Sequence, residues 1–205
     1  MFKEIVKQQP AAYRVGRVVV EGWRRRREAG RWTAPYLSPA DKVAELRRYA
    51  RQFGVDVFVE TGTYEGETTY RLRRDFDHLF TVEIDPELAR LARMRFAPLK
   101  RISPIESSGP DGLRPALREI RAPALFWLDS HPCSTKTSGS GSPAVEELRQ
   151  VMEHEVPGHA VLIDDVRLLT GSDGWPTLDE VLSVVDRSRF ETAVRDDILR
   201  VTPLS

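Results

Sequence analysis

The amino-acid sequence predicts an α/β fold, a doubly wound and mostly parallel sheet with helices on both faces. Short continuous apolar runs, typical of strands buried on both faces, alternate with segments of helical periodicity. Capping residues, prolines and glycines separate these segments. Two strands at the end of the chain flank an Asp-Asp turn, which predicts an antiparallel hairpin.

Helix and strand signals follow one another from residue 38 onward. Ser38 and Pro39 form a helix start, and Gly54 is a stop signal for that helix. We expect further helices over the segments to about Phe76 and at 86–96, 112–120, 143–154 and 177–185. Strands are expected at 55–59, 79–84, 102–105, 124–129, 160–165, 190–194 and 198–201, with a turn at 62–66, a polar loop at 133–142 and a hairpin turn at Asp196-Asp197.

Composition limits the classes of protein that the chain can represent. Its 205 residues fit one domain with a short appendage, and 31 basic residues balance 31 acidic ones. Overall neutrality gives no long-range attraction for nucleic acid, so nucleic acid is not the expected partner. The single cysteine, Cys133, excludes an internal disulfide and a multi-cysteine zinc site. No apolar run suits a membrane span and no secretory signal is visible, so we expect a cytoplasmic protein.

The charge is concentrated near the N-terminus. The first 50 residues hold twelve basic and five acidic residues, with four consecutive arginines at 24–27. We interpret residues 1–37 as a basic helical extension and residues 38–205 as the α/β domain. The extension is either a solvated helix whose apolar side docks on the domain or a surface for an anionic partner. It is also a candidate for contacts in a homodimer.

Carboxylates follow the most apolar of the predicted strands. In open α/β sheets ligands bind at the carboxyl ends of the strands. A single acid at such a point is often only a helix cap, but a set of them is expected to cluster on one edge. The set consists of Glu60, Glu83, Asp129, Asp164 and Asp165.

The turn after the first strand favours an adenosine ligand. Gly62 and Gly66 allow the backbone to approach a ligand, and the next helix offers free N–H groups. Glu83 follows about 20 residues later, the spacing at which an acid binds ribose hydroxyls. The third glycine of a dinucleotide fingerprint is missing, which disfavours a nicotinamide cofactor.

Segment 59–66 resembles motif I of class I S-adenosylmethionine-dependent methyltransferases, and segment 81–86 resembles their ribose-binding second strand. The resemblance covers roughly residues 40–205 and implies a Rossmann-like, seven-stranded sheet with an antiparallel last strand. It also implies that S-adenosylmethionine is the cofactor. By this resemblance the methionine portion of the cofactor lies against Glu60, Gly62, Tyr64 and Gly66, with Thr63 in the same turn. The resemblance places the ribose hydroxyls on Glu83 and the adenine beside Ser107 and Ser108. Ser107 replaces the acid that is usual in the family.

Three of the acids suggest a subtype of this family. Neighbouring strand ends would present Asp129, Asp164 and Asp165 to one Mg²⁺ or another divalent cation. The layout resembles metal-dependent small-molecule O-methyltransferases of natural-product or glycan pathways. In those enzymes the cation holds two substrate oxygens and lowers the pKa of the attacking hydroxyl. Alternatively, Asp164 or Asp165 caps the next loop and no metal binds.

His131 is the best-placed general base, because it follows Asp129 by two residues and its ordinary pKa is near 6.5. It is otherwise a further metal ligand or a simple loop residue, and Asp129 is the alternative base. We interpret the remaining histidines as structural, and Arg167 as a candidate to line the acceptor pocket. The remaining histidines are His78, His154 and His159.

The sequence therefore predicts methyl transfer to a hydroxyl of a small molecule, such as a sugar, polyketide or other natural product, with help from a divalent cation. One alternative is a metal-independent O- or N-methyltransferase. Another is a non-catalytic module that binds an adenosine ligand and docks through its basic extension.

Overall fold

The computed structural model describes residues 37–130 and 143–204. The basic extension, the loop at 133–142 and His131 lie outside the described residues. The helices are α1 (Pro39–Phe53), α2 (Glu67–Leu72), α3 (Pro86–Phe96), α4 (Gly109–Glu119), α5 (Pro143–Met152) and α6 (Leu178–Leu182), with a 3₁₀ turn at Val166–Leu168. The strands are β1 (Val57–Thr61), β2 (His78–Glu83), β3 (Ile102–Glu106), β4 (Leu125–Leu128), β5 (Ala160–Ile163), β6 (Phe190–Arg195) and β7 (Ile198–Pro203).

The strands form one seven-stranded sheet in the order β3-β2-β1-β4-β5-β7-β6. The first five strands pair in parallel, whereas β7 is antiparallel to both β5 and β6. The strand order reverses between β1 and β4, and ligands of doubly wound sheets bind at such a point. The predicted α/β fold, with a mostly parallel sheet and an antiparallel last strand, is confirmed.

Alternate residues of each strand face two separate cores. Val59, Phe126 and Val161 face the core covered by α4, α5 and α6. Phe58 and Trp127 face the core covered mainly by α1 and α3. Continuous apolar strands arise because both faces of the sheet are covered. Within residues 37–130 and 143–204, no helix is long and apolar enough to cross a membrane.

The local signals place α1 well. The side chain of Ser38 accepts the backbone N–H of Asp41, whose carboxylate accepts the backbone N–H of Ser38 in return. Gly54 ends the helix in the left-handed conformation, with φ of +61°. The hairpin turn is also as predicted, since Asp196 and Asp197 both have positive φ angles.

Several element ends differ from the predicted ones. Strands β4 and β5 end at Leu128 and Ile163, so the acids after them stand in the connecting segments and not in the strands. Helix α4 begins at Gly109, three residues before the predicted start, because Ser108 caps it. Helix α2 ends at Leu72, four residues before the predicted end.

Candidate functional site

The turn after β1, residues 62–66, is drawn tightly against the neighbouring strand ends. The backbone N–H groups of Gly62 and Thr63 both donate to the carbonyl of Val82, over 2.9 and 3.1 Å. Gly62 has φ of +87°, and a Cβ there would lie 2.4 Å from the backbone oxygen of Asp129. Only glycine fits this position, because both the conformation and the space exclude a side chain. The turn is therefore fixed where β1, β2 and β4 meet.

The same turn brings a backbone N–H to the carboxylate of Glu83. Tyr64 donates its N–H to Oε2 of Glu83 over 2.7 Å, and its side chain is about half exposed. Gly66 is also restricted, since a Cβ there would lie 2.8 Å from the ring of Phe96. The glycines at both ends of the turn are thus required by its close packing.

Glu83 ends β2 and is buried beside this turn. Besides Tyr64, the backbone N–H of Asp85 donates to its carboxylate over 3.0 Å. Burial raises the pKa of Glu83, although these N–H groups act in the opposite direction. An ionised carboxylate has about four acceptor positions, so Glu83 keeps capacity for the two hydroxyls of a ribose.

Glu60 lies deeper than Glu83 and is surrounded by threonines. Its Oε2 accepts the hydroxyls of Thr69 and Thr81 over 2.6 and 2.8 Å, and the hydroxyl of Thr63 donates in turn to that of Thr81 over 2.6 Å. Burial raises the pKa of Glu60 to about 8, and the charge of Asp129 adds to the effect. Glu60 therefore links β1, β2 and α2 as a neutral acid at pH 7. Its contact with a methionine portion stays a prediction.

The two serines after β3 have different positions. The backbone N–H of Ser107 donates to the carbonyl of Glu83 over 2.9 Å, which holds it next to the ribose-binding candidate. The side chain of Ser108 caps α4 by accepting the N–H of Asp111 over 3.3 Å. Ser107 remains a candidate for the adenine side, and the capping hydroxyl of Ser108 is already engaged in the fold.

The structure brings Asp129, Asp164 and Asp165 together, and we call them the three-aspartate cluster. One carboxylate oxygen of each lies within 4.8 Å of the others. Asp164 and Asp165 are buried and Asp129 is half-buried. Oxygens at such separations can surround one hard cation at the usual bond lengths of roughly 2.0–2.6 Å. The donor set therefore fits a divalent cation.

Two basic side chains already pair with this cluster. The ammonium of Lys42, on α1, bonds to Asp164, and the guanidinium of Arg167 bonds to Asp165 over 2.6 Å and to Asp197. Burial raises the pKa of Asp164 to about 7, and the negative charges of Asp129 and Asp165 add to this shift. The positive charge of Lys42 acts in the opposite direction. Arg167 ties the segment after β5 to the β6–β7 hairpin, and its predicted place beside the acceptor stays a prediction.

Glu147, on α5, is completely buried beside the same strand ends. It accepts the hydroxyl of Thr61 over 3.1 Å and that of Ser130 over 2.6 Å. A Cβ on Gly109 would lie 1.6 Å from its Oε1, so any larger residue at the start of α4 would displace this carboxylate. Burial raises the pKa of Glu147 to about 7. Glu147 therefore links α5 to the end of β1 and to the segment after β4.

Sequence reasoning missed both Lys42 and Glu147. Glu147 left a signal, because it shares the apolar face of α5 with Ala144, Leu148 and Val151. Lys42 left none, since a lysine in the first turn of an amphipathic helix is ordinary. Its partner Asp164 lies 122 residues away in the chain.

Solved structures with a similar fold are methyltransferases by their descriptions. An O-methyltransferase from Bacillus cereus, in complex with S-adenosylhomocysteine, has a TM-score of 0.59 at 16% identity, covering 89% of each chain. The O-methyltransferase TomG from Streptomyces achromogenes, involved in tomaymycin synthesis and in complex with S-adenosylmethionine, has a TM-score of 0.56 at 20% identity, covering 82% of this chain and 81% of its own.

The similar structures also include an rRNA methylase from Streptococcus thermophilus, with a TM-score of 0.54 at 15% identity, covering 84% of this chain and all of its own. No family model and no curated protein matches the sequence. At these identities the comparisons show the fold alone, a Rossmann-like sheet of the kind found in methyltransferases.

Proposed function

We propose that the protein transfers a methyl group from S-adenosylmethionine to a hydroxyl of a small molecule, assisted by a divalent cation at the three-aspartate cluster. The observation that carries this proposal is the placement of Glu83. Its buried carboxylate lies against the glycine turn, close to the point where the strand order of the sheet reverses. Strand β1 lies between β2, which ends in Glu83, and β4, which leads to Asp129 of the cluster. Cofactor and acceptor sites would therefore share one edge of the sheet.

The cofactor half of the site uses the turn at 62–66 and the ends of β2 and β3. Glu83 would accept the ribose hydroxyls, and Ser107 would lie on the adenine side. The close approach of Gly62 to the backbone of Asp129 fixes the turn against which the methionine portion would lie. Solved structures of similar fold bind S-adenosylmethionine or S-adenosylhomocysteine, which supports this assignment.

The acceptor half uses the three-aspartate cluster. A bound divalent cation would hold the acceptor oxygens and lower the pKa of the attacking hydroxyl. The three carboxylates would hold the cation and, through it, the acceptor oxygen in line with the sulfonium methyl. The methyl group would move from sulfur to oxygen, and the hydroxyl proton would leave to a base, for which His131 is the candidate; Asp129 is the alternative base if no cation binds. S-adenosylhomocysteine and the methylated acceptor are the products.

A metal-independent O- or N-methyltransferase is the second candidate. The pairing of Asp164 with Lys42 and of Asp165 with Arg167 favours it, because two of the three carboxylates are already partly neutralised. Rates with and without a chelator separate the two candidates, since only the first loses activity when divalent cations are removed.

Calorimetric titration with S-adenosylmethionine and S-adenosylhomocysteine tests the proposal. We expect Glu83→Ala to weaken binding at least about tenfold, because a hydrogen bond to a charged group is worth roughly 1.5–3 kcal/mol. Glu191→Ala is the matched control, since Glu191 is an exposed acid on β6 and its loss should leave binding unchanged. Absence of binding by the wild type would contradict the proposal and favour a module for another ligand.

A further inference from the structure

The charge of the three-aspartate cluster is partly neutralised by two basic side chains that differ in how firmly they are fixed. Arg167 is held by Asp165 and by both oxygens of Asp197, one of which accepts its backbone N–H over 2.8 Å. Lys42 reaches the cluster from α1 and pairs there with Asp164. The first cation is a fixed part of the β5–β7 region, whereas the second enters from another element.

The side chain of Lys42 borders solvent, whereas its partner is buried. Its side chain is 27% exposed, while that of Asp164 is 2% exposed. A lysine carries a compact charge on a flexible four-carbon stem, so the ammonium can rotate into solvent. Helix α1 itself is anchored one turn further on, where Glu45 accepts hydrogen bonds from Arg200 over 2.8 Å and from Arg195 over 3.1 Å.

The ammonium and a metal ion would need the same place. Lys42 bonds to the carboxylate of Asp164, and its ammonium lies 5.7 Å from the centre of the Trp127 ring. A divalent cation coordinated by Asp164 would meet this positive charge at short range. Two cations at one buried carboxylate repel each other strongly because the local dielectric constant is low.

We propose that Lys42 is a built-in competitor for the divalent cation at the three-aspartate cluster. It occupies Asp164 when no cation is bound and rotates into solvent when one binds. Lys42 therefore sets the cation concentration at which the site fills, and it keeps the buried carboxylates paired in the empty protein. This inference rests on the metal-binding part of the proposed function.

Binding of Mn²⁺, measured by the electron paramagnetic resonance signal of the free ion, tests this inference on the full chain. Mn²⁺ is a suitable probe because carboxylate sites that take Mg²⁺ also take Mn²⁺. We expect Lys42→Met to bind Mn²⁺ about tenfold more tightly than the wild type, or better, because the competing charge is gone. Lys42→Arg should bind it more weakly, since a guanidinium can hold a carboxylate with two hydrogen bonds.

Two further variants control the experiment. Lys100→Met removes an exposed lysine away from the cluster and should bind Mn²⁺ as the wild type does. Asp164→Asn should weaken Mn²⁺ binding, and in its presence Lys42→Met should no longer change the affinity. Circular dichroism melting of every variant shows that each one is folded.

Equal or weaker Mn²⁺ binding by folded Lys42→Met would overturn the inference. Absence of Mn²⁺ binding by both proteins at millimolar concentrations would overturn it together with the metal site. Neither outcome touches the cofactor-binding part of the proposed function, whose test is S-adenosylmethionine binding at Glu83; loss of the metal site would favour the metal-independent candidate. Failure of that test leaves the Mn²⁺ series equally informative about Lys42.

Discussion

Burial shifts the pKa values of titratable groups in opposite directions at the two ends of the parallel strands. At the carboxyl end, burial raises the pKa of Glu60 to about 8 and that of Glu147 to about 7. At the amino end, burial lowers the pKa of His159 to about 4, with the neighbouring His154 adding to the shift. At both ends burial thus favours the neutral form, of two acids at the carboxyl end and of His159 at the amino end.

The histidines at the amino end form a closed chain of hydrogen bonds. The N–H of Ala124 donates to Nδ1 of His159, over 3.0 Å, so the proton of His159 must be on Nε2. That nitrogen lies 2.8 Å from Nδ1 of His154, whose Nε2 in turn donates to the carbonyl of Leu117 over 3.0 Å. Every ring nitrogen has a partner within the fold, which supports the structural interpretation of both histidines.

The carboxyl end is different because several of its polar groups retain capacity for a ligand. Glu83 uses two of its acceptor positions, and the three-aspartate cluster is partly neutralised by Lys42, whose side chain is partly exposed. Two non-glycine residues with positive φ angles, Tyr64 and Asp165, also lie at this end, and such backbone strain is common at functional sites. The difference between the ends supports the proposed site at the carboxyl end.

The largest expected effect is that of Gly62→Ala at the carboxyl end, compared with Gly54→Ala at the amino end. Both glycines have positive φ angles, but a Cβ on Gly62 would overlap the backbone of Asp129, whereas a Cβ on Gly54 meets nothing within 4 Å. We expect Gly62→Ala to lower the free energy of unfolding by about 3 kcal/mol or more, and Gly54→Ala by about 1 kcal/mol. Denaturant titration measures both, and equal losses would contradict the close packing of the turn.

Glu60→Gln should remove a loss of stability at high pH. The raised pKa means that folded Glu60 keeps its proton while the unfolded chain releases it, so stability falls as pH rises from about 4.5 through 8. The glutamine side chain of the variant does not titrate. Between pH 5 and pH 9 the free energy of unfolding of the variant should therefore rise by a few kcal/mol relative to that of the wild type. Parallel wild-type and variant curves in thermal melting across this range would show that Glu60 is ionised in the fold.

His159→Gln should have the opposite effect on the pH profile. Because its pKa is lowered, His159 stays neutral in the folded protein over a pH range in which it is protonated in the unfolded chain. Stability therefore falls as pH drops from about 6.5 to 4. The wild type should lose roughly 3 kcal/mol over this window through His159, and the variant should lose less. The variant is less stable at pH 7, since the histidine hydrogen bonds are lost. The test is therefore the slope of the free energy of unfolding against pH, and not its value at one pH. An unchanged slope would contradict a neutral His159.

Ser108→Ala should have the smallest effect, a loss of about 1 kcal/mol from the missing cap of α4. Ser108→Asp also caps a helix and should restore the stability. If Ser108 only caps α4, both variants bind S-adenosylmethionine as the wild type does. Weaker cofactor binding by folded Ser108→Asp would assign Ser108 to the adenine side after all.

The sequence predicted the sheet because its signals are local. Apolar runs, the Ser38 cap, the Gly54 stop and the Asp196-Asp197 turn each act within a few residues. The clustering of the aspartates also followed, since parallel strands end at one edge. Strand ends were placed less well, because the last backbone hydrogen bonds of β4 and β5 depend on their partners.

Side-chain partners could not be predicted, because they depend on packing between distant elements. Lys42 and Asp164 meet only when α1 covers the sheet, and Glu147 meets Thr61 only when α5 does. The hydrogen bond between Glu60 and Thr81 likewise depends on the register of β1 against β2. The position of His131 lies outside the described residues, so its role as base stays a prediction.

A crystal structure of the complex with S-adenosylhomocysteine tests the central claim most directly. We expect the two ribose hydroxyls on the carboxylate of Glu83 and the homocysteine portion along the turn at 62–66, with its sulfur directed toward the three-aspartate cluster. A ribose bound elsewhere, or a ligand on another face of the protein, would contradict the assignment of the carboxyl end as the active one.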